Sequence, residues 1–248
     1  MIRLMSIIAV FMLILFSISV QGAVIHYEQN FDGLKDGDAE GQDGWAMGPP
    51  ADDETATTIT SEVFHGASGK SMQVDPKQVV IRDFDPIIKS GIHFLSLWFR
   101  YELRDITDDK LFIYMGETVR EWVAGPTAYI GGHSNDPNKV TVSDGGTDKP
   151  VGEDIKVGEW QHFFAIIDVD QQTITVYVDD VLVAENFGWR KPSVHKGIGW
   201  LMFGFDRGKV GTIGYYDDVV FGEGDELIMA VAPEDKLAST WGYLKSSN

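Results

Sequence analysis

Apolar and polar residues alternate with a period of two through much of the chain, and the pattern is clearest from Val157 to Phe187. Every second residue from Ile174 to Val178 is apolar, and the residues between them are threonine and tyrosine, which is typical of a β-strand with unlike faces. The pattern breaks at residues 170–172 and 179–180, which contain the aspartates that turns favour. The segment is therefore predicted to form strand, turn, strand, tight turn, strand.

Short runs of the same kind recur along the chain, with turn residues between them and no convincing helical periodicity. Regular strand spacing and tight hairpins predict an all-β fold, an antiparallel two-sheet β-sandwich of the jelly-roll type. Outside the double hairpin, the predicted strands are Val24–Phe31, Thr57–Thr60, Ser71–Val74, Gln78–Arg82, Ile92–Leu103, Leu111–Met115, Glu121–Ile130, Lys139–Val142, Ile198–Phe205 and Gly214–Phe221.

The N-terminus carries Arg3 ahead of an apolar run, Ile7–Val20, and small residues follow near Gly22. We predict that residues 1–22 are a cleaved secretory signal, the alternative being an uncleaved anchor that would be the chain's one membrane contact. Residues 23–229 are predicted to form one jelly-roll domain, and residues 230–248 a C-terminal tail. The tail is expected to be a short capping helix or, alternatively, a recognition or anchoring tag. The sequence thus predicts a secreted or extracytoplasmic protein.

Acidic residues dominate the charge of the chain, with 38 Asp and Glu against 20 Lys and Arg, a formal net charge of −18. Such a surface repels phosphate backbones and anionic lipid, so nucleic-acid binding is not expected. A strongly polyanionic ligand is also disfavoured unless a local basic groove or bound cations offset the charge. The chain has no cysteine, which excludes disulfides, thiol redox chemistry and thiolate zinc sites.

The double hairpin and several flanking motifs resemble the laminin-G-like, concanavalin A-like jelly-roll family, over roughly Val24 to Phe221. Members usually carry glycine where this chain has Asp180, a residue that tolerates a left-handed turn at modest cost. The motifs that carry the resemblance are Trp160 at a strand start, T-x-x-V-Y-V-D at residues 173–179, Phe31–Leu34, Gly41–Trp45, Gly69–Val74 and Tyr216–Phe221.

The resemblance implies a lectin-like module, with a structural calcium ion between the opening and closing strands. By position, Asp32, Asp218 and Asp75 would supply ligands to that ion. Asp32 also begins an acidic, glycine-rich loop that ends near Asp43. The loop does not match an EF-hand, because the twelfth position from Asp36 is Met47 rather than glutamate. The alternative is a solvated acidic loop that only makes turns.

Aromatic side chains are the second indication of glycan binding, because the CH-rich faces of sugars stack on tryptophan and tyrosine. Trp45, Trp98 and Trp160 are expected in the core, and Trp200 is ambiguous. Trp122 and Trp189 have polar neighbours and are the candidates for an exposed platform, or else cover the edge of the core. The predicted ligand-binding residues are Arg120, Trp122, His133, Trp189 and Arg190.

Catalytic signatures of this fold are not found in the sequence. Retaining β-glucanases carry E-x-D-x-x-E on one strand, and the nearest run, Glu223-Gly224-Asp225, has Ile228 where the third acid should be. Arg100, Tyr101, His133, His162 and Tyr177 provide the residue types of a polysaccharide lyase without a recognisable motif, and His162 is expected to be a packed or edge histidine. We predict a non-catalytic, carbohydrate-binding module. The alternatives are a glycan-cleaving enzyme and a structural or adhesive module with a protein partner.

Overall fold

The computed structural model describes residues 24–48, 57–102, 110–118, 124–131, 136, 138–206 and 213–225. The predicted signal segment and tail lie outside these residues, so the predicted domain boundaries stay predictions. The described residues form sixteen β-strands. No helix in the described part of the chain is long and apolar enough to cross a membrane.

All strand pairs are antiparallel, and they form two sheets, which we call the large sheet and the small sheet. The strands are β1 (Ile25–Gln29), β2 (Gly37–Asp38), β3 (Trp45–Met47), β4 (Thr58–Thr60), β5 (Ser71–Val74), β6 (Val79–Ile88), β7 (Ile92–Glu102), β8 (Lys110–Gly116), β9 (Thr127–Ile130), β10 (Lys139–Asp144), β11 (Thr147–Asp154), β12 (Trp160–Asp168), β13 (Thr173–Val178), β14 (Val181–Gly188), β15 (Ile198–Asp206) and β16 (Ile213–Glu223). The large sheet has nine strands in the order β14-β13-β12-β7-β16-β5-β4-β2, with β1 paired to β16, and the small sheet has seven in the order β11-β10-β9-β8-β15-β6-β3. The predicted all-β sandwich is confirmed.

The double hairpin forms as predicted, from β12, β13 and β14. Asp179 and Asp180 connect the second pair, and both have positive φ, 48° and 62°. Two consecutive left-handed residues define the type I′ turn that suits the right-handed twist of paired strands. Gln172 also has a positive φ, 54°, in the first turn.

The main core lies between the two sheets, and β7 shows how the alternation builds it. Leu95, Leu97 and Phe99 are buried in this core, whereas Ser96 and Trp98 fall on the opposite side of the strand. Large apolar side chains of both sheets fill the space, and complete burial of each contributes about 1.5–3 kcal/mol. Trp45 is among them, as expected.

A second apolar cluster covers the other side of the small sheet, so that this sheet is apolar on both faces. The cluster consists of Val79, Ile81, Phe112, Tyr114, Tyr129, Trp200 and Met202. It explains why β8 and β15 have nearly continuous apolar sequences instead of a clear alternation.

Three strands were not predicted, namely β2, β3 and β11. The first two have only two and three residues, which is too short for a periodic pattern. Strand β11 is the last strand of the small sheet, and most of its residues are polar and exposed.

Its neighbour β10 is joined to the large sheet at this edge, where Gly145 N donates to Gly188 O (2.8 Å) and Gly188 N to Asp144 Oδ1 (3.0 Å).

Candidate functional site

The outer side of the small sheet carries aromatic and hydroxyl side chains in adjacent rows. We call it the β10 face, and define it by Phe112, Tyr114, Tyr129, Thr141, Ser143, Asp148, Trp200 and Met202, together with Arg190, which bonds to Tyr129 and Asp148. On β10, Val140 and Val142 point into the main core, so Thr141 and Ser143 point outward. Directly opposite residues share a side of the sheet, and Thr141 pairs with Tyr129 while Ser143 pairs with Asp148.

Three polar groups of this face are buried without a hydrogen-bond partner in the described part of the chain. They are Thr141 Oγ1, Ser143 Oγ and Trp200 Nε1, on residues that are 0%, 1% and 1% exposed. A buried polar group left unsatisfied costs roughly 1–3 kcal/mol, and most buried groups in proteins therefore have a partner. The β10 face thus has free hydrogen-bonding capacity: two hydroxyls that can donate or accept and one indole N–H that can donate.

Arg190 connects the two sides of this face. It follows β14 and is held by a bridge to Gly125, with Gly125 N donating to Arg190 O at 2.7 Å. From this position its Nη1 donates to the Tyr129 hydroxyl (2.8 Å) and to Asp148 Oδ1 (2.9 Å). The Arg190 and Asp148 side chains are each 20% exposed. They are more accessible than the buried groups beside them, so a ligand would meet this pair first.

The predicted ligand-binding residues fall partly on this face. Arg190 is part of it, whereas Arg120, Trp122 and His133 lie outside the described residues.

The prediction of an exposed platform at Trp189 is wrong. Its side chain is 1% exposed, belongs to the main core and donates from Nε1 to Thr173 O at 3.1 Å. Its neighbour Arg190 lies on the β10 face instead. Polar neighbours in the sequence suggested a surface loop, but the tryptophan itself packs inward at the end of β14.

The outer side of the large sheet carries a different aromatic group, which we call the His–Trp face and define by His65, Trp98, Trp160, His162 and Tyr215. The imidazole of His65 stacks on the indole of Trp98, with ring centroids 3.9 Å apart and planes at 18°. His65 Nδ1 lies 2.9 Å from Asp218 Oδ2, and His65 N donates to Asp217 Oδ2 at 2.8 Å. These contacts fix the loop that contains His65 on the sheet.

The other members of the His–Trp face are also engaged within the protein. His162 Nε2 lies 2.8 Å from Ser96 Oγ, and its Nδ1 lies 3.2 Å from Asp180 Oδ1. Burial lowers the pKa of His162, and the hydrogen bond and negative charge of Asp180 oppose that shift. The position of His162 as a packed histidine is confirmed, since it is 2% exposed. Trp160 Nε1 donates to Phe64 O at 2.9 Å.

Trp98 and Trp160 were expected in the core, and this expectation is wrong. Both are half-buried and contact His65 on the outside of the large sheet. Trp98 shares its side of β7 with Ser96 and Arg100, because these residues are two apart. These polar neighbours in the sequence could have indicated that Trp98 lies on the outside of the large sheet.

The large sheet carries the residue types that a polysaccharide lyase needs, but these side chains are already engaged within the protein. Arg100 lies opposite Tyr215 in the strand register and donates from Nε to Glu102 Oε1 at 2.6 Å. The pKa of Tyr215 is raised by burial and by the negative charges of Glu102 and Asp75, which disfavours the phenolate that a base would need. Tyr101, another candidate, is in the main core.

The three carboxylates predicted to bind calcium have separate partners. Asp32 Oδ1 accepts from Lys70 N (2.9 Å), Asp75 accepts from Gln73 Nε2 (3.3 and 3.2 Å), and Asp218 faces His65. The described residues contain no group of three or more histidines and acids that could hold a metal ion. Calcium binding by Asp32, Asp218 and Asp75 therefore stays a prediction.

No protein-family model and no curated protein matches the chain. Solved structures resemble it in fold. A sialidase superposes with a TM-score of 0.52 at 15% identity, over 91% of this chain and 21% of the sialidase. Cellulose induced protein, Cip1, superposes with a TM-score of 0.52 at 17% identity, over 79% of this chain and 96% of Cip1. A botulinum neurotoxin serotype D ligand binding domain, solved in complex with N-acetylneuraminic acid, gives 0.47 at 10% identity, over 80% of this chain and 45% of that domain.

Proposed function

We propose that this protein is an exported, non-catalytic carbohydrate-binding module, related to laminin-G-like and concanavalin A-like jelly rolls, that binds its glycan on the β10 face. The fold neighbours support the carbohydrate-binding part of the proposal, because one is a sialidase and another is named for its induction by cellulose. Since fold alone does not fix function, the proposal depends on the site.

The observation that carries the proposal is the set of unpartnered buried groups, Thr141 Oγ1, Ser143 Oγ and Trp200 Nε1. Sugar hydroxyls both donate and accept hydrogen bonds, so a glycan that reaches these groups can bond to the two hydroxyls and to the indole N–H. Each satisfied group would then gain the hydrogen bond that it lacks in the free protein, which favours binding.

The Arg190 and Asp148 pair completes the polar half of the face. A guanidinium presents N–H donors in a fixed plane, and a carboxylate presents acceptors, which together match adjacent hydroxyls of a sugar ring. Tyr114, Phe112 and Met202 form the apolar half beside them. This combination of a few oriented polar groups with apolar and aromatic surface is usual in small-ligand sites.

A glycan array with the full chain tests the proposal, and the variants Thr141→Val and Ser143→Ala test its location. Ser96→Ala is the matched control, because Ser96 is a buried serine on the outside of the other sheet with its hydroxyl 2.8 Å from His162 Nε2. We expect one glycan class to bind, and binding to weaken about fivefold or more in Thr141→Val and Ser143→Ala but not in Ser96→Ala.

The same ligands should be assayed for cleavage. Products of a bound glycan would show that the protein is an enzyme and overturn the non-catalytic assignment. Binding to no glycan would overturn the proposal and favour a structural or adhesive module with a protein partner. If the wild type, Thr141→Val and Ser143→Ala bind the glycan equally well, the binding site does not lie on the β10 face.

Calcium binding is a separate part of the proposal, suggested by the family resemblance. An ion that binds only the folded state raises the melting temperature. We therefore expect the melting temperature to fall when a chelator removes calcium. Identical melting curves with calcium and with chelator would contradict calcium binding.

A further inference from the structure

Two cations converge on one tyrosine of the β10 face, in a chain with almost twice as many acidic as basic residues. Arg190 Nη1 donates to the Tyr129 hydroxyl at 2.8 Å, and Lys110 Nζ lies 5.0 Å from the centroid of the Tyr129 ring. Asp148 is the acidic partner of Arg190, so the three charged groups sum to one positive charge. The nearby pair of Lys149 and Asp144 is neutral as a unit. Asp206 lies opposite Lys110 in the register of β15 and β8, so the charges around Tyr129 are close to balanced, in contrast to the excess of acids in the whole chain.

The guanidinium of Arg190 also retains donors for a ligand. Arg190 makes two hydrogen bonds to described side chains, and Nη1 is the donor in both. Arginine has five N–H donors in a planar fork, and two parallel donors match the two oxygens of a carboxylate. The side chain keeps 20% of its surface exposed, which leaves it reachable from solvent.

We propose that the ligand of the β10 face is an acidic glycan, and that Arg190, assisted by Lys110, receives a carboxylate of the sugar beside Tyr129. This inference rests on the proposed function and names the ligand class for the same site. The net negative charge of the chain repels polyanions at long range, but that repulsion is screened over about 8 Å at physiological salt. The direct contact of a carboxylate with Arg190 is not screened to the same extent.

Calorimetric titration with a soluble polyuronate and with its carboxyl-reduced, neutral form tests the inference. Both polymers have the same backbone, so their difference reports the carboxylate. We expect the full chain to bind the acidic form about tenfold more tightly, as a charge-assisted hydrogen bond predicts. The preference should shrink as the salt concentration rises.

Variants of the basic residues show which side chain causes the preference for the acidic polymer. Arg190→Gln should reduce this preference to about twofold or less, because binding of the acidic polymer weakens more than binding of the neutral one, and Arg190→Lys should retain part of it. Lys110→Gln should lower it by a smaller factor, and it offers a second variant if Arg190→Gln is unstable. Lys139→Gln is the control, because Lys139 is a basic residue of β10 itself whose Nζ donates to Gly152 O at 3.0 Å.

The outcomes distinguish this inference from the proposed function. Equal affinity for the acidic and neutral polymers, or a preference that survives in both Arg190→Gln and Lys110→Gln, would overturn the inference and leave the glycan-binding proposal standing. No binding of either polymer, together with a negative glycan array, would overturn both.

Discussion

The two outer faces of the sandwich have similar residue types but differ in how their polar groups are satisfied. On the His–Trp face, His65, His162 and Trp160 each have a partner within the protein, namely Asp218, Ser96 and Phe64 O. On the β10 face, Thr141 Oγ1, Ser143 Oγ and Trp200 Nε1 have none among the described residues. Both faces are aromatic, so composition alone does not separate them.

This contrast indicates which face stabilises the fold and which one is the better candidate for a ligand. Groups that already have partners gain nothing by exchanging them for a ligand of equal quality, so the His–Trp face holds a loop in place. Unpartnered buried groups weaken the free protein and gain a hydrogen bond when a ligand arrives. Sites with such unsatisfied groups are therefore better candidates for function than aromatic clusters as such.

The largest loss of stability is expected when a buried acceptor is removed from the large sheet. Asp217 is fully buried and accepts from His65 N (2.8 Å) and from Asp218 N (2.7 Å). Asp217→Ala leaves two donors without an acceptor and should lower the free energy of unfolding by about 3 kcal/mol. Urea unfolding measures this, with Asp217→Asn, which keeps one acceptor oxygen, as the control. A loss below about 1 kcal/mol would show that the His–Trp face is not needed for stability.

A matched pair of serines compares the two faces directly. Ser96→Ala removes a hydroxyl that lies 2.8 Å from His162 Nε2 and should destabilise the protein by about 1 kcal/mol. Ser143→Ala removes a hydroxyl without a partner and should leave stability unchanged or raise it by up to about 1 kcal/mol. Thermal or urea unfolding gives both values. If the two variants are destabilised equally, Ser143 has a partner in solution and the contrast between the faces fails.

The pH dependence of stability tests the buried histidine of the His–Trp face. Burial holds the pKa of His162 below its unfolded value of about 6.5, so the unfolded chain takes up the proton more readily than the folded protein. Stability should therefore be complete above about pH 6.5 and decline as the pH falls from there toward the folded pKa. The decline should be smaller in His162→Gln. Urea unfolding between pH 5.5 and 8 is the measurement, and an identical slope in the variant would assign the titration to other groups, such as His26, whose pKa is also lowered by burial.

The smallest expected effect concerns the turn that contacts this histidine. Asp180 raises the pKa of His162 through a hydrogen bond and its negative charge, against the larger effect of burial. Asp180→Asn keeps a residue that tolerates positive φ and an acceptor oxygen but removes the charge. The pKa of His162, followed by NMR titration, should fall further in the variant. A pKa that rises or stays constant would show that the turn does not act on His162.

Much of the fold could be predicted from the sequence because the strands of the large sheet have one buried face. The hairpin of β12 and β13 and the turn at Asp179 and Asp180 follow from period-two alternation and turn residues. Strand β11 could not be found in this way, because its exposed edge position removes the apolar half of the pattern.

The candidate site could be predicted only in part. Arg190 was identified from its aromatic and polar neighbourhood, but Trp200 and Tyr114 lie in runs that are apolar on both faces, where periodicity does not indicate direction. The hydroxyls Thr141 and Ser143 come from another strand, and only the pairing of β10, β9, β8 and β15 places all these groups in one sheet. Whether a buried polar group has a hydrogen-bond partner also depends on the packed structure, so the sequence alone does not show it.

The pairing of β1 with β16 has a mechanical consequence. Ile25, at the start of β1, lies opposite Gly222, near the end of β16. Force applied between these two ends would act at one end of an antiparallel ladder whose bonds run perpendicular to the strands. The bonds would then separate one at a time rather than all together in shear. Strand β1 would peel away at low force, while β7, which lies between β12 and β16, would remain paired on both sides.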